Sequence, residues 1–478
     1  MPEWPGADGR GPTGGVSALA KPGRLPFNAS RSRMKITRRS FIRQAALALP
    51  ITVAATRAGA QGVAVRTPAA VAGPAEYFDR KTRLTISMWD FSWLHAGHPG
   101  GAYADLERRV VEAVERGYNT LRVDCFPSRL LEPESRFEKN WNPGVDLPSW
   151  GQRAVDFSCD VRRKVAQLAG LCRQHGLWLG LDSWDKGHMF SRAQNGLNGD
   201  GQPIAVAAEE RAFTGYGETW VKALKLMREE GVLERAVWIA PMNEVPHFAG
   251  RQLAALAQLP DQPLEEGETQ LRRNQAVDAV YRRINRWMAE PIKAEVARDG
   301  IPLSYSSLGM ENYAARLTDL YDVVDVHFMP SVIMDAADRQ AFAAVGPGVL
   351  KGRFAGLRAS DLAAFSQAWD RACRKHYPAM LRRVQDYHQA ALQQLTLPSG
   401  KKLAAIITES FGPCFWPDHP SVGWDWYQRY NADALRVVAG MDFKGSSLSN
   451  YAEPGFSLWG DRDWHWTSNA FFQAALRP

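Results

Sequence analysis

Hydrophobic and polar positions follow two alternating periods along residues 81–478. Short, mostly apolar runs of five or six residues, typical of buried strands, precede longer segments whose apolar residues recur every three or four positions, as on one helix face. This alternation predicts parallel strands joined by helices. The predicted strands are residues 84–89, 120–124, 177–182, 237–242, 303–307, 323–328, 403–408 and 445–449. The predicted helices are residues 106–116, 161–174, 220–230, 272–298, 368–395, 426–439 and 468–476.

Eight strand–helix units in about 400 residues predict one α/β domain, a (β/α)8 TIM barrel with long loops on its catalytic face. A doubly wound sheet is the alternative architecture. No GxGxxG or Walker-type glycine loop follows a predicted strand, so the nucleotide chemistry usual for a doubly wound sheet is not indicated. In a barrel, the active site is expected at the carboxyl ends of the strands.

Polar and aromatic side chains end the predicted strands, or follow them closely, at this catalytic end. In chain order they are Trp89 and Asp90, Arg122 and Asp124, Asp182 and Trp184, Asn243 and Glu244, Glu311 and Asn312, His327, Glu409, and Asn450, Tyr451 and Glu453. Glu244 and Glu409 each come directly after a buried apolar run, so two barrel strands can present them across one pocket. A facing pair of carboxyl groups is what glycosidic bond hydrolysis requires.

Hydrolysis with retention needs one protonated carboxyl group, which protonates the leaving oxygen, and one ionised carboxylate, which attacks the anomeric carbon. Two close carboxylates repel, which raises one pKa, while a neighbouring arginine keeps the other group ionised. Arg122 is the expected partner of Glu409, which leaves Glu244 as the acid. Asn243 can hydrogen-bond a hydroxyl group without adding charge, and His327 can orient a carboxylate or contact the substrate.

The pair Asn243-Glu244 after strand four, together with Glu409 on strand seven, resembles clan A of the glycoside hydrolases, most closely its cellulase-type family 5. The resemblance covers about residues 80–478. It implies that Glu244 is the general acid/base, that Glu409 is the nucleophile and that Asn243 binds the sugar 2-hydroxyl. Arg122 matches the clan's arginine on strand two, and His327 fits its histidine near strand six.

The chain departs from this pattern at two places. Ser449-Asn450-Tyr451 stands where the clan usually has a tryptophan at the end of strand eight, and Trp459 lies beyond it. Val245 separates Glu244 from Pro246, where a family 5 cellulase usually shows Asn-Glu-Pro. These departures put cellulose itself in doubt as the substrate.

The chain has seventeen tryptophans, of which Trp178, Trp220, Trp238 and Trp287 fall within predicted elements and are expected in the core. Others lie in loops on the strand-end side, where an exposed indole can stack on a sugar face. These loop residues are Trp89, Trp93, Trp141, Trp150, Trp184, Trp416, Trp424, Trp459, Trp464 and Trp466. The alternative is that several of them pack together and hold the loops. The expected substrate-binding residues are Asn243, Arg122, His327, Trp89, Asp182, Trp184, Glu311, Tyr451 and Trp459.

Positive charge is concentrated at the amino terminus. Residues 1–60 carry ten Lys/Arg and two Asp/Glu, a net charge of +8, so with a total of +7 the rest of the chain is near neutral at −1. A near-neutral body gives no electrostatic reason to expect nucleic acid or an anionic membrane as a partner.

The amino-terminal residues have the pattern of an export signal. Residues 1–33 are rich in Gly and Pro and are interpreted as an extension or as a mis-assigned start before Met34. Residues 34–60 contain Arg38-Arg39, a short apolar run and Ala58-Gly59-Ala60, which resembles a twin-arginine signal peptide; an ordinary secretory signal is the alternative. Residues 61–80 are then a linker, and the mature protein, without a membrane anchor, is expected in the periplasm or secreted.

The five cysteines, Cys125, Cys159, Cys172, Cys373 and Cys414, show no zinc-site spacing. They are interpreted as buried free thiols, and one disulfide bond is the alternative. His95 and His98 lie in a loop without a third ligand at useful spacing, so neither a metal nor another cofactor is expected.

The sequence therefore predicts an exported, retaining β-glycoside hydrolase that acts on an oligo- or polysaccharide. Two other hypotheses stay open, a non-catalytic carbohydrate-binding barrel and a metal-dependent barrel hydrolase.

Overall fold

The computed structural model describes residues 83–137, 156–184, 206–244, 268–307, 311–329, 333–346, 348–352, 354, 356–413 and 416–475. They all belong to one compact unit, Thr67–Pro478. The predicted extension, signal peptide and linker lie outside the described residues, as do Trp141, Trp150 and Cys414. The other four cysteines are free thiols. No helix in the described part of the chain is both long and apolar enough to span a membrane.

Eight parallel strands form the centre of the fold. They are β1 Leu84–Asp90, β2 Thr120–Asp124, β3 Trp178–Asp182, β4 Ala236–Ile239, β5 Ser304–Ser307, β6 Val323–Val326, β7 Ala404–Ile407 and β8 Gly445–Ser447. The strand order is β4-β3-β2-β1-β8-β7-β6-β5, and a parallel bridge from Ile239 to Leu303 joins the two ends of the sheet. The predicted (β/α)8 barrel is therefore confirmed.

Helices surround the strands. They are α1 Leu106–Glu115, α2 Val161–His175, α3 Val206–Glu229, α4 Glu268–Val296, α5 Ala336–Val345, α6 Ala359–Gln393, α7 Asp425–Ala439 and α8 Arg462–Ala474. Asp105, Asp160 and Asp461 precede α1, α2 and α8, and each side chain accepts a hydrogen bond from a main-chain N–H of the first turn. These caps satisfy donors that have no partner inside the helix, and they fix where the helices begin.

Helix α3 begins fourteen residues before the predicted start at residue 220. Gly215 and Gly217 interrupt its helical pattern in the sequence, because glycine is a poor helix former. In the structure, a Cβ atom on Gly217 would lie 2.6 Å from the carbonyl oxygen of Met288 on α4. The glycine thus permits close packing of α3 on α4, and this contact outweighs its low helix propensity.

The barrel interior is apolar at one level and polar above it. Leu84, Ile86, Trp178, Trp238, Val323 and Ile406 belong to one buried cluster inside the strands. The Trp238 indole occupies the space beside Gly180, where an added Cβ atom would lie only 1.9 Å from the ring. Further along the strands, the buried side chains are Arg122, Asp182, Ser306, Asp325, His327 and Thr408. The apolar layer therefore supports a polar layer at the carboxyl ends of the strands.

Two strand ends adopt left-handed backbone conformations. Asp90, at the end of β1, has φ +43°, and Glu244, after β4, has φ +50°. Non-glycine residues rarely adopt this region, and such residues cluster at functional sites. Near Asp90, the pairing of β1 with β2 also shifts register between Met88 and Asp90.

Candidate active site

Six of the predicted site residues come together at the carboxyl ends of the strands. Arg122 comes from β2, Asp182 from β3, Asn243 and Glu244 follow β4, His327 follows β6 and Glu409 follows β7. Each of the six side chains is buried, with at most 3% exposure. The hydrogen bonds among them define the site.

Glu409 is held by two donors on one oxygen atom. Arg122 Nη1 donates to Glu409 Oε1 over 2.9 Å, and Asn243 Nδ2 donates to the same atom over 3.0 Å. Arg122 is itself oriented by Asp182, whose Oδ2 accepts hydrogen bonds from Nε at 2.8 Å and from Nη2. The expected pairing of Arg122 with Glu409 is present, and such charge-assisted bonds favour the ionised carboxylate.

Main-chain contacts position the Asn243-Glu244 pair. The Asn243 N–H donates to the Ser183 carbonyl over 2.8 Å, and the Glu244 N–H donates to Ser306 Oγ over 3.1 Å. Ser306 Oγ in turn donates to Asn243 Oδ1, which directs Asn243 Nδ2 towards Glu409. The left-handed turn at Glu244 is therefore stabilised from both neighbouring strands, β3 and β5.

His327 lies between carboxyl groups. Its Nδ1 is 3.0 Å from Glu244 Oε1, and its Nε2 is 3.1 Å from Asp325 Oδ2. Burial lowers the pKa of His327, but Glu409, Asp325 and Glu244 together raise it well above the usual value. His327 is thus expected to be a cation that donates hydrogen bonds to Glu244 and to Asp325. Asp325 is fixed by the Thr408 N–H, which donates to Oδ1 over 2.9 Å.

The two glutamates approach each other closely. One oxygen of Glu244, one oxygen of Glu409 and a ring nitrogen of His327 all lie within 4.8 Å of one another. Burial raises the pKa of Glu409 most, and Glu244 raises it further. His327, Arg122 and Asn243 lower it, but the result stays above the usual value. Mutual repulsion in a buried site therefore favours a single proton shared between the two carboxyl groups.

Sequence comparison assigns the family. A sequence model described as "sugar-binding cellulase-like" matches residues 86–472, which is most of the chain. The chain belongs to the sugar-binding cellulase-like family. No curated protein sequence matches it.

Several solved structures are similar to this cellulase-like protein. A candidate glycoside hydrolase from Parabacteroides distasonis is 18% identical, with 84% of this chain and 96% of that one covered and a TM-score of 0.60. A family 5 mannosidase from Rhizomucor miehei is 11% identical, with 83% and 94% covered and a TM-score of 0.40. A family 5 enzyme from Prevotella bryantii is 10% identical, with 84% and 97% covered and a TM-score of 0.42. At 18% identity, the likeness to the first structure establishes a shared fold and nothing about the substrate.

The triad Glu244, His327 and Glu409 has the spacing of three metal ligands. Two features of this cellulase-like site oppose a metal ion there. Both ring nitrogens of His327 already face carboxylates, which favours the protonated ring rather than the neutral ligand form. The Arg122 cation, 2.9 Å from Glu409 Oε1, would also repel a metal ion at that oxygen.

The contacts observed for Trp89, Trp184 and Glu311 are with residues other than the two glutamates. Trp89 packs on Tyr103, with ring centroids 5.1 Å apart. The main-chain N–H of Trp184 donates to Asp124 Oδ2, and its ring contacts Phe91. Glu311 accepts from Tyr305 and pairs with Arg316 at 3.0 Å.

The two aromatic residues predicted after β8 have packing roles. The Tyr451 hydroxyl accepts a hydrogen bond from the main-chain N–H of Trp416 over 2.6 Å. The Tyr451 ring packs against other aromatic rings. Trp459 stacks on Tyr118, which comes just before β2, and so lies at the amino-terminal end of the barrel, opposite the glutamates. Of the other indoles expected in loops, Trp93 and Trp416 are buried in the core, whereas Trp466 is exposed. The predicted burial of Trp178, Trp220 and Trp238 is confirmed.

Several residues of the network were missed as site residues. Ser306 orients Asn243, and Asp325 and Thr408 hold His327. A signal for Asp325 was available, because it lies two positions before His327 and so on the same face of β6. Ser306 and Thr408 likewise occupy buried positions at strand ends, but a small hydroxyl residue carries no distinctive signal.

Glu453, after β8, ties two loops together inside the protein. Its Oε1 accepts a hydrogen bond from Ser92 Oγ over 3.0 Å, and its Oε2 accepts one from the Tyr103 hydroxyl over 2.5 Å. Burial raises the pKa of Glu453 to about 8, against the ordinary 4.5. The folded protein therefore binds a proton at Glu453 that the unfolded chain releases above pH 4.5.

This shift predicts a pH-dependent stability. The contribution of Glu453 is fully present below pH 4.5 and decreases as the pH rises towards 8, by about 1.4 kcal/mol per pH unit. Glu453→Gln should remove this component, so the free energy of unfolding, measured with urea from pH 5 to 8, should fall less steeply than in the wild type. Glu107→Gln, an exposed glutamate of α1, is the matched control and should keep the wild-type slope. Equal slopes for all three proteins would show that Glu453 does not titrate in this range.

Proposed function

We propose that this cellulase-like protein is a retaining β-glycoside hydrolase that cleaves an oligo- or polysaccharide without a cofactor. The observation that supports it most is the approach of Glu244 and Glu409, with carboxylate oxygens within 4.8 Å of each other. Retaining enzymes separate their carboxyl groups by about 5–5.5 Å, and inverting enzymes by about 6.5–9.5 Å. The close pair favours retention, since it leaves no room for a water molecule between the second carboxylate, Glu409, and the anomeric carbon.

The contacts of the site support a division of labour. In the first step, the Glu409 carboxylate attacks the anomeric carbon while Glu244 gives its proton to the leaving oxygen. The bond to the leaving group breaks, and a glycosyl ester forms on Glu409. In the second step, Glu244 takes a proton from water, whose oxygen attacks the anomeric carbon and releases Glu409 as a carboxylate. His327, 3.0 Å from Glu244 Oε1, stabilises the ionised form of Glu244 between the steps.

The proposal is tested by the stereochemistry of hydrolysis. The mature protein is incubated with aryl β-glycosides of glucose, galactose, mannose and xylose, and with natural β-glycans. Proton NMR should show the β anomer of the product first, followed by slow mutarotation to the α anomer. Initial release of the α anomer would establish inversion. Sugar binding without any hydrolysis would favour the alternative of a non-catalytic carbohydrate-binding barrel.

The metal-dependent alternative has one observation in its favour, the ligand-like spacing of Glu244, His327 and Glu409. Metal analysis of the purified protein and hydrolysis assays in EDTA separate the two mechanisms. Full activity after dialysis against EDTA is expected for the two-glutamate mechanism. Loss of activity that a divalent metal restores would support the metal-dependent one.

We also propose that the precursor is exported by the twin-arginine machinery, on the evidence of Arg38-Arg39 and the short apolar run that follows. Replacing both arginines with lysine keeps the charge but removes the pair that the receptor reads. The full-length precursor should then accumulate in the cytoplasm, as a fractionation and immunoblot would show. Normal export of the double variant would favour the general secretory route.

A further inference from the structure

The carboxyl group of Asp90 is buried without a hydrogen bond. Its side chain is buried like those of Arg122 and Glu409, and neither carboxyl oxygen has a hydrogen-bond partner among the described residues. A buried polar group left without a partner costs about 1–3 kcal/mol, and nearly all buried polar groups are paired. Asp90 therefore calls for an explanation other than its contribution to stability.

The backbone directs this side chain into the site. The register of β1 against β2 shifts between Met88 and Asp90, and Asp90 itself has φ +43°. Bulges at barrel rims turn a side chain to a new direction, and left-handed non-glycine residues mark functional sites. As a result, Asp90 Oδ1 lies 3.8 Å from Arg122 Nη2, a distance too long for a hydrogen bond. The same guanidinium contacts Glu409 through Nη1.

One positive charge, Arg122, faces three carboxyl groups, those of Asp90, Asp182 and Glu409. Burial raises the pKa of Asp90 well above its usual value, Arg122 lowers it in part, and Glu409, Asp182 and Asp124 add to the rise. A neutral carboxylic acid offers one O–H donor and one carbonyl acceptor. A sugar hydroxyl both donates and accepts, so it matches this group, whereas an anionic ligand would meet the surrounding carboxylates.

We propose that Asp90 binds the substrate and hydrogen-bonds one hydroxyl group of the sugar ring that Glu409 attacks. In this way it contributes to the choice of sugar. The inference rests on the proposed function, because it places the sugar ring beside Glu409. Arg122 links the two acids, since its Nη1 is 2.9 Å from Glu409 Oε1 and its Nη2 is 3.8 Å from Asp90 Oδ1, which places both carboxyl groups around one guanidinium.

Two variants test the role of Asp90. Asp90→Asn keeps a donor and an acceptor and tolerates φ +43°. Asp90→Gly removes the carboxyl group and adopts the same backbone without strain. The probes are the aryl β-glycosides of glucose, galactose, mannose and xylose and their mono-deoxy derivatives. Hydrolysis is measured as kcat/KM, and binding of the corresponding free sugars is measured by calorimetry.

Asp90→Gly is expected to lower kcat/KM on the best parent glycoside about 10- to 100-fold, and Asp90→Asn less than about 5-fold. Removal of one particular hydroxyl group from the substrate should lower kcat/KM of the wild type by a similar factor. The same removal should hardly change kcat/KM of Asp90→Gly, because both changes remove the same hydrogen bond. The melting temperature of both variants should equal or exceed that of the wild type, since an unpaired buried group is lost.

An equal loss on every deoxy substrate, or an unchanged kcat/KM, would overturn the inference. A lower melting temperature in both variants would overturn it as well, by showing a structural role. The wild type could hydrolyse no glycoside while calorimetry shows that Asp90→Gly and removal of one sugar hydroxyl weaken binding non-additively. In that case the proposed hydrolysis fails while Asp90 remains a sugar ligand. If the wild type neither hydrolyses nor binds any of these sugars, both proposals fail.

Discussion

Glu409→Gly is expected to lower kcat by about 10⁴- to 10⁶-fold for every substrate, whatever its leaving group. The variant cannot form the glycosyl ester, and in the described part of the chain no other carboxylate accepts hydrogen bonds from both Arg122 and Asn243, as Glu409 Oε1 does. Added azide should restore activity on aryl β-glycosides and yield the α-glycosyl azide. The anion fills the space of the lost carboxylate, where the donors of Arg122 and Asn243 remain.

Glu409→Gln is the matched control for this experiment. It has almost the size of glutamate, so it should be as inactive as Glu409→Gly, but azide should not rescue it, because the space for the anion stays occupied. NMR of the azide product gives its configuration. Full activity of either variant would remove Glu409 from the mechanism, and a β-azide from Glu409→Gly would give it the role assigned to Glu244.

Glu244→Ala should have an effect that depends on the leaving group. Loss of a general acid costs about 10²- to 10⁴-fold on natural glycans, whose leaving groups need protonation, and far less in the first step with dinitrophenyl glycosides. The second step then lacks its base, so a burst of dinitrophenol should precede slow turnover. Azide needs no base, and it should speed the second step and yield the β-glycosyl azide.

The control for Glu244→Ala is Glu244→Gln, which keeps the side-chain volume and should show no azide rescue. Both variants place a non-glycine residue at φ +50°, as in the wild type, so backbone strain does not differ between them. The kinetics are compared over a series of aryl leaving groups of different pKa. A uniform loss across the series would contradict the role of Glu244 as the acid.

The sequence was sufficient to predict the barrel and the polar residues at the carboxyl ends of its strands. Strand period and buried apolar runs place Arg122, Asn243, His327 and Glu409 at one end of the barrel, because parallel strands all end there. The structure brings these residues into hydrogen-bond contact. Helix starts were less accurate, as in α3, where packing of Gly217 on α4 overrides the breaking effect of glycine.

Residues far from a strand end could not be located from periodicity. Trp459 and Tyr451 lie in the connection after β8, whose path depends on tertiary contacts. Trp459 stacks on Tyr118, and Tyr451 packs against Trp424 and Tyr427 of another segment. Asp90 was visible as a strand-end acid, but nothing in its sequence context indicates burial without a partner. That property arises from a register shift between two strands, which no local pattern encodes.

The central claim, a covalent intermediate on Glu409, is tested most directly by trapping it. Dinitrophenyl 2-deoxy-2-fluoro-β-glycosides of glucose, galactose, mannose and xylose trap the ester. Fluorine destabilises the oxocarbenium-like transition states of both steps, but the dinitrophenyl leaving group keeps the first step fast enough for the ester to accumulate. Mass spectrometry of the digested protein should show one sugar on the peptide that contains Glu409. A sugar attached to Glu244, or no adduct from a protein that hydrolyses the parent glycoside with inversion, would contradict the account.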